Sequence, residues 1–215
     1  MRPAPLLCTG VCAIVVACGN EVTVFPPGLE PLETNRAPAP AGTDEDPFPE
    51  RLEMLEGESD AFAWVQARGF VHGTVAATWS AFQDPQVVAD RRKVDEWSVM
   101  SNVETGFDVS FMIHNVVHDV ITVIFDVTWR QSVVSGDRQE PTQVAIRFQK
   151  TFGTIFIGIL RGSIIVRQVD DALTEIEMIE HIDAASGGTD NIKSYLGDLF
   201  SSVVARVHGQ PLPQY

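Results

Sequence analysis

Cysteine is absent after position 18, and the three cysteines of this 215-residue chain are Cys8, Cys12 and Cys18. Residues 19–215 therefore contain no disulfide and must be held together by an apolar core. Basic residues are also few: 15 Lys and Arg stand against 29 Asp and Glu, which gives a formal net charge of -14. Since this surplus of carboxylates repels phosphate backbones, we expect no nucleic-acid partner.

The sequence also lacks long apolar runs and recognisable catalytic motifs. No run reaches the roughly 18 apolar residues that a membrane-spanning helix needs, and no G-x-S-x-G sequence, which would mark a nucleophilic serine, is present. His114 and His118 have the four-residue spacing of zinc ligands on a helix, but the residues around them alternate as in a strand. We therefore predict no catalytic residue, no metal site and no cofactor.

The first 18 residues have the pattern of an export signal: Arg2, a short apolar run, and small residues before a cut. The tetrapeptide Val15-Val16-Ala17-Cys18 resembles the lipobox of bacterial lipoproteins. That resemblance implies a signal peptide of residues 1–17, cleavage between Ala17 and Cys18, and a lipid anchor on Cys18 in a membrane of the cell envelope. An ordinary secretory signal or a fortuitous apolar start is the alternative.

The residue after the lipidated position bears on which membrane would hold the anchor. In lipoproteins of enteric-type bacteria an aspartate there commonly retains the protein at the inner membrane, and this chain has Gly19. The resemblance thus favours the outer membrane, facing the periplasm or the cell surface.

Residues 18–59 have the composition of a tether. Seven of the 13 prolines, ten acidic residues and only two basic ones fall between positions 19 and 59. Such a segment buries too little apolar surface to offset its ordering entropy, so we predict a disordered or extended acidic tether. Its end, Glu50 to Glu58, is predicted to form a short helix before a domain of residues 60–215.

The domain itself is predicted to be α+β. A strand from Phe62 to His72 precedes a helix that Thr74 caps, and one or two short helices are expected before residue 90. Six strands follow, the clearest being residues 121–129, where apolar and polar residues alternate. A long amphipathic helix ends near His208. Strands with one apolar face need another element to bury that face, and this helix is the only one long and apolar enough to do so. We therefore expect a mostly antiparallel, curved, seven-stranded sheet wrapped around the helix.

The segment from Gly69 to Pro85, GFVHGTVAATWSAFQDP, carries a family resemblance. It is similar to the opening strand, the small-residue helix with a central tryptophan, and the closing Asp-Pro of the START-like (polyketide cyclase-like, SRPBCC) superfamily. The resemblance covers residues 60–208 and implies the helix-grip fold, with an apolar ligand cavity between sheet and last helix. Solid packing of helix on sheet is the alternative.

Residues on the predicted inner faces are candidates for lining such a cavity. Two are charged: Lys150 shares the parity of Val144, Ile146, Phe148 and Phe152, and Glu180 that of neighbouring apolar residues. With one strand between theirs, the two side chains are predicted to be able to meet, unless a strand end or a bulge places one of them outside. The apolar candidates are Trp97, Phe125, Trp129, Phe148, Met178, Leu196, Leu199, Phe200 and Val203.

These observations favour a noncatalytic module that holds a hydrophobic small molecule or lipid beside a membrane. Two alternatives stay open. One is an enzyme of the cyclase, aromatase or dehydratase type that uses Lys150 and Glu180 as acid and base. The other is a structural or interaction lipoprotein with a filled core.

Overall fold

One antiparallel sheet of eight strands organises the chain. The structure, a computed structural model, describes residues 25–118, 120–185 and 188–215. Along the sheet the strands follow the order β1-β2-β8-β7-β6-β5-β4-β3. The elements are β1 (Leu52–Glu58), β2 (Ala63–Val71), α1 (Val75–Phe82), α2 (Pro85–Val88), β3 (Glu96–Ser101), β4 (Val109–His118), β5 (Thr122–Gly136), β6 (Pro141–Gly153), β7 (Ile157–Asp170), β8 (Leu173–Ala184) and α3 (Thr189–Val207).

The two short helices begin and end where local chemistry requires. The side chain of Thr74 accepts a hydrogen bond from the Ala77 backbone N–H and caps α1. Asp84 accepts from the Gln86 N–H, and Pro85 occupies the first turn of α2, where its missing donor costs nothing. The predicted capped helix after the first strand of the domain is thus confirmed.

The long helix α3 covers the concave face of the sheet. Its buried residues Ile192, Leu196, Leu199 and Val203 recur at helical spacing, and they join a core contributed by both sheet and helices. Gly188 occupies the N-cap position of α3, and no side chain accepts a capping hydrogen bond there. The predicted fold class, a curved sheet gripping a C-terminal helix, is confirmed. Among the described residues, no helix is long and apolar enough to cross a membrane.

The predicted helix from Glu50 to Glu58 is wrong, because these residues contribute an eighth strand. β1 pairs with β2 from Leu52 opposite Gly69 to Glu58 opposite Ala63. The free edge of β2 offers unpaired backbone groups, and the alternation of β1 places Leu52 and Met54 against the core. The folded domain therefore begins before residue 60.

The prediction of a disordered tether is wrong for residues 25–51, because the sheet holds this segment. Leu29 is fully buried, against Ala145 and Ile165. The Asn35 side chain donates to the backbone carbonyls of Ala67 (2.9 Å) and Met178 (3.2 Å). Backbone carbonyls of the sheet thus accept hydrogen bonds from this segment, which lacks regular backbone pairing of its own. The rest of the predicted tether, residues 18–24, and the signal peptide lie outside the described residues.

Candidate functional site: a cavity under the C-terminal helix

A cavity of about 380 Å³ lies between the concave face of the sheet and the first half of α3. This volume falls within the range of small-molecule pockets, and the walls are mostly apolar, as is usual for such pockets. The lining residues are Val88, Ala89, Asp90, Lys93, Val94, Ile113, Asn115, Val117, Val120, Ile121, Val123, Phe125, Val127, Trp129, Phe148, Phe156, Ile157, Leu160, Glu180, Ile182, Ala184, Ala185, Asn191, Ile192 and Tyr195.

A row of stacked aromatic rings crosses the cavity wall. The strand register places Trp129, Phe148, Gly162 and Glu180 side by side on β5, β6, β7 and β8. The rings of Trp129 and Phe148 stack with centroids 4.5 Å apart. A Cβ at position 162 would overlap the Phe148 ring, so glycine is needed for the ring to lie across β7. The row of neighbouring residues therefore ends at Glu180 on β8.

Glu180 is a buried acid without a hydrogen-bond partner for its Oε2 atom. Its residue is only 4% exposed, and its position on the inner face of β8 directs it to the cavity. Burial raises the pKa of the Glu180 carboxyl well above its ordinary value, and the nearby charge of Asp90 raises it further. Burial therefore shifts the carboxyl towards its neutral form relative to an exposed glutamate, and that form carries one O–H donor.

The other titratable groups that line the cavity are Asp90, Lys93 and Tyr195. Burial raises the pKa of Asp90, although the backbone N–H groups of Arg92 and Lys93 partly compensate. Burial and the neighbouring Glu180 raise the pKa of Tyr195, whose hydroxyl donates to the Val88 carbonyl at 2.9 Å. Two acids thus face a single ammonium group, and the cavity offers no surplus of positive charge.

The cavity opens between two strand connections with exposed apolar residues. Val120, 97% exposed, and Ile121 belong to the β4–β5 connection, while Ile155, 91% exposed, and Phe156 belong to the β6–β7 connection. The connections are adjacent, because the Thr154 N–H donates to the Ile124 carbonyl at 3.0 Å. Clustered apolar side chains at an opening mark a surface that receives apolar molecules.

Solved structures of lipid-transfer domains share this architecture. The human StarD13 (DLC2) lipid transfer and protein localization domain matches with a TM-score of 0.50 at 12% identity, over 83% of this chain and 91% of that chain. Human StAR-related lipid transfer protein 5 matches with a TM-score of 0.50 at 10% identity, over 75% of this chain and 82% of that chain. This chain has the START-like helix-grip fold. No protein-family model and no curated protein matches the sequence.

The START-like cavity takes in some of the predicted lining residues and leaves out others. Phe125, Trp129, Phe148 and Glu180 line it. Trp97, on β3, packs against the core beside it. The remaining apolar candidates are buried in solid core, because the second half of α3 packs directly on α1, β1 and β2. They are Met178, Leu196, Leu199, Phe200 and Val203.

Lys150 and Glu180 do not form the predicted pair. Lys150 lies opposite Val127 on the concave side, but its ammonium donates to the carbonyls of Thr154 (2.9 Å) and Ile157 and is absent from the cavity lining. A bulge after Lys150 turns Phe152 to the convex side, where it is 67% exposed, so the predicted shared parity ends at the bulge.

Several polar residues that the sequence pattern does not predict also line the cavity. Asn115 shares its strand face with Ile113 and is only 4% exposed; its amide donates to the Ile113 (2.9 Å) and Phe125 (3.2 Å) carbonyls. The sequence signal for Asn115 is a polar residue among alternating apolar ones, the same signal that identifies Glu180 as a lining candidate. Asp90 and Lys93 follow α2 in a turn, where no periodicity exists to place them.

The histidine pair on β4 contacts acids outside the START-like cavity. The Nδ1 atom of His114 lies 2.6 Å from an Asp126 oxygen, and the Nε2 atom of His118 lies 3.1 Å from a Glu96 oxygen. Within residues 25–118, 120–185 and 188–215, no group of three or more His, Cys, Asp or Glu side chains is arranged to hold a metal ion.

Proposed function

We propose that this protein binds a hydrophobic small molecule or lipid in the cavity without transforming it. The observation that carries the proposal is the apolar cavity of about 380 Å³, with its aromatic wall and its apolar opening. The names of the two human structures, both of which mention lipid transfer, support a lipid-like ligand. The alternative with a filled core is not compatible with this cavity.

The enzymatic alternative requires Lys150 and Glu180 together, and Lys150 does not line the cavity. Its acid–base pair requires a free Lys150, and that ammonium group is bound to two backbone carbonyls. Of the two residues in that pair only Glu180 lines the cavity, and one member of an acid–base pair does not complete the proton transfers that the alternative requires. We therefore prefer binding to catalysis.

The binding test uses Nile red, an uncharged dye that fluoresces in apolar surroundings. We expect saturable fluorescence with the wild-type protein and its loss in Val127→Trp, because the larger ring fills the cavity from β5. Val169→Trp, on the exposed end of β7, is the matched control and should bind as wild type. Equal binding by all three proteins would place the dye outside the cavity and contradict the proposal.

We also propose that Cys18 carries lipid and holds the domain at an envelope membrane, with the outer membrane favoured. The support is the lipobox resemblance of Val15-Val16-Ala17-Cys18. Because Phe25 already packs on the domain, the seven Cα–Cα steps from Cys18 to Phe25 would allow a separation of at most roughly 25 Å between the lipid anchor and the domain.

Metabolic labelling of the protein in its bacterial host with a clickable palmitate tests this anchor. Labelled wild type and unlabelled Cys18→Ala are expected, with membrane fractionation reporting which membrane holds the protein. Label that persists in Cys18→Ala, or wild type without label, would refute the anchor while leaving the cavity proposal intact.

A further inference from the structure

We propose that Glu180 is the polar recognition residue of the cavity: its neutral carboxyl donates a hydrogen bond to an uncharged oxygen of the ligand. The ligand class is then an apolar molecule with a carbonyl or hydroxyl oxygen, and ionised carboxylates are disfavoured. This inference rests on the proposed function, because it assigns the polar end of the same ligand.

The sheet leaves the Glu180 carboxyl without a protein partner on either side. Its cross-strand neighbours are Val65 on β2 and Gly162 on β7, and neither has a polar side chain. Beyond Gly162 lies the Phe148 ring. A buried polar atom without a partner is rare and costly in a folded protein, so a partner that arrives with the ligand accounts for its retention at a cavity wall.

The charged groups around the cavity favour an uncharged ligand oxygen over a carboxylate. Asp90 and Lys93 approach from the segment after α2, and Tyr195 approaches from α3. Lys150, on the concave side of β6, is held by backbone carbonyls. A ligand carboxylate would therefore join two acids in a largely apolar space, with Lys93 as the one lining cation.

The test compares two uncharged naphthalenes, of which only one carries a ketone oxygen. Prodan is an uncharged aromatic ketone whose emission shifts to longer wavelength when its carbonyl accepts a hydrogen bond, and 2-ethylnaphthalene has no oxygen. In Glu180→Met we expect prodan to bind about tenfold more weakly and to lose its red shift, while 2-ethylnaphthalene binds as before. Glu180→Gln keeps an uncharged donor, so prodan should bind within about twofold of wild type.

A pH series separates the carboxyl from other groups. Prodan affinity for wild type should fall as the pH rises from 7 to 10, because the ionised carboxyl no longer donates. The affinity of Glu180→Gln should change much less over this range, because the variant has no ionisable group at position 180. An equal fall in both proteins would assign the pH dependence to Asp90, Lys93 or Tyr195, which line the cavity in both, and would contradict the role of the carboxyl.

Three results would overturn parts of this scheme in distinguishable ways. If prodan binds Glu180→Met as tightly as wild type and keeps its red shift, the recognition role is refuted and the cavity proposal stands. Decylamine, a cation, and 1-decanol, which is uncharged, are compared as competitors of prodan. If Glu180→Gln weakens displacement by decylamine tenfold and leaves displacement by 1-decanol unchanged, Glu180 recognises a cation instead. If wild type binds neither naphthalene, the proposed function itself fails.

Discussion

At the scale of the residue, burial of the Glu180 carboxyl lowers stability, a cost that the proposed hydrogen bond to a ligand would offset. Asn115 is equally buried, but two backbone carbonyls accept its amide hydrogens. The Oε2 atom of Glu180 has no such partner. A buried polar group of this kind costs about 1–3 kcal/mol of folding free energy, so apolar packing alone would not favour a glutamate there.

Replacing Glu180 by glutamine should change how stability depends on pH. Burial raises the pKa of the folded-state carboxyl, so above the unfolded-state pKa of about 4.3 the unfolded chain releases a proton that the folded chain keeps. Wild-type stability therefore loses this contribution as the pH rises from about 4 towards the folded-state pKa. We expect Glu180→Gln to gain stability relative to wild type as the pH rises from 4 to 8.

Urea unfolding at pH 4, 6 and 8 measures this difference. The exposed Glu58→Gln, at the end of β1, is the control and should follow the wild-type curve. Parallel curves for Glu180→Gln and wild type would show that the Glu180 carboxyl ionises in the folded protein as it does in the unfolded chain.

At the scale of the element, the sequence predicts what depends on local pattern. The alternation from Ile121 to Trp129 and the cap at Thr74 led to the correct strand and helix, because pleat and capping are set by neighbouring residues. β1 was missed because an acidic edge strand pairs on one side only and carries few apolar residues. The bulge after Lys150 was missed because it depends on how two distant strands align.

The segment of residues 25–51 shows the limit of composition as evidence. Proline and acidic residues predicted disorder, yet side chains that are distant in sequence fix the segment. The Leu32 N–H donates to the Ser163 hydroxyl at 3.1 Å, and the Gln66 amide donates to Glu33 at 2.6 Å. The division of α3 into a cavity half and a solid half was also hidden, because one apolar stripe serves both.

Leu29→Ala tests whether this segment belongs to the folded unit. Leu29 is fully buried against Ala145 and Ile165, so truncation should lower the free energy of unfolding by about 2–4 kcal/mol, measured by urea unfolding. Leu55→Ala on β1, where the side chain is 39% exposed, should cost less than about 1 kcal/mol. A loss for Leu29→Ala no larger than that of the control would restore the tether description.

At the scale of the whole molecule, α3 packs against the rest of the fold more closely along its second half than along its first half. The helix contacts α1, β1 and β2, and Leu199 and Val203 are buried in the core away from the cavity lining, whereas Ile192 and Tyr195 line the cavity. A side chain beside an empty space lacks packing atoms on that side and loses their dispersion energy. The cavity end of the molecule should therefore open locally at lower free energy than the solid end.

Amide hydrogen exchange followed by mass spectrometry tests this gradient. In the free protein, we expect backbone amides of α3 from Leu199 to Val203 to exchange at least about tenfold more slowly than those from Ile192 to Tyr195. Saturating prodan should slow exchange from Ile192 to Tyr195 and leave exchange from Leu199 to Val203 nearly unchanged. The ligand stabilises the end of α3 that it contacts, because binding lowers the free energy of the closed state there. Uniform exchange along α3 in the free protein would mean that the cavity closes by collapse of its walls in solution.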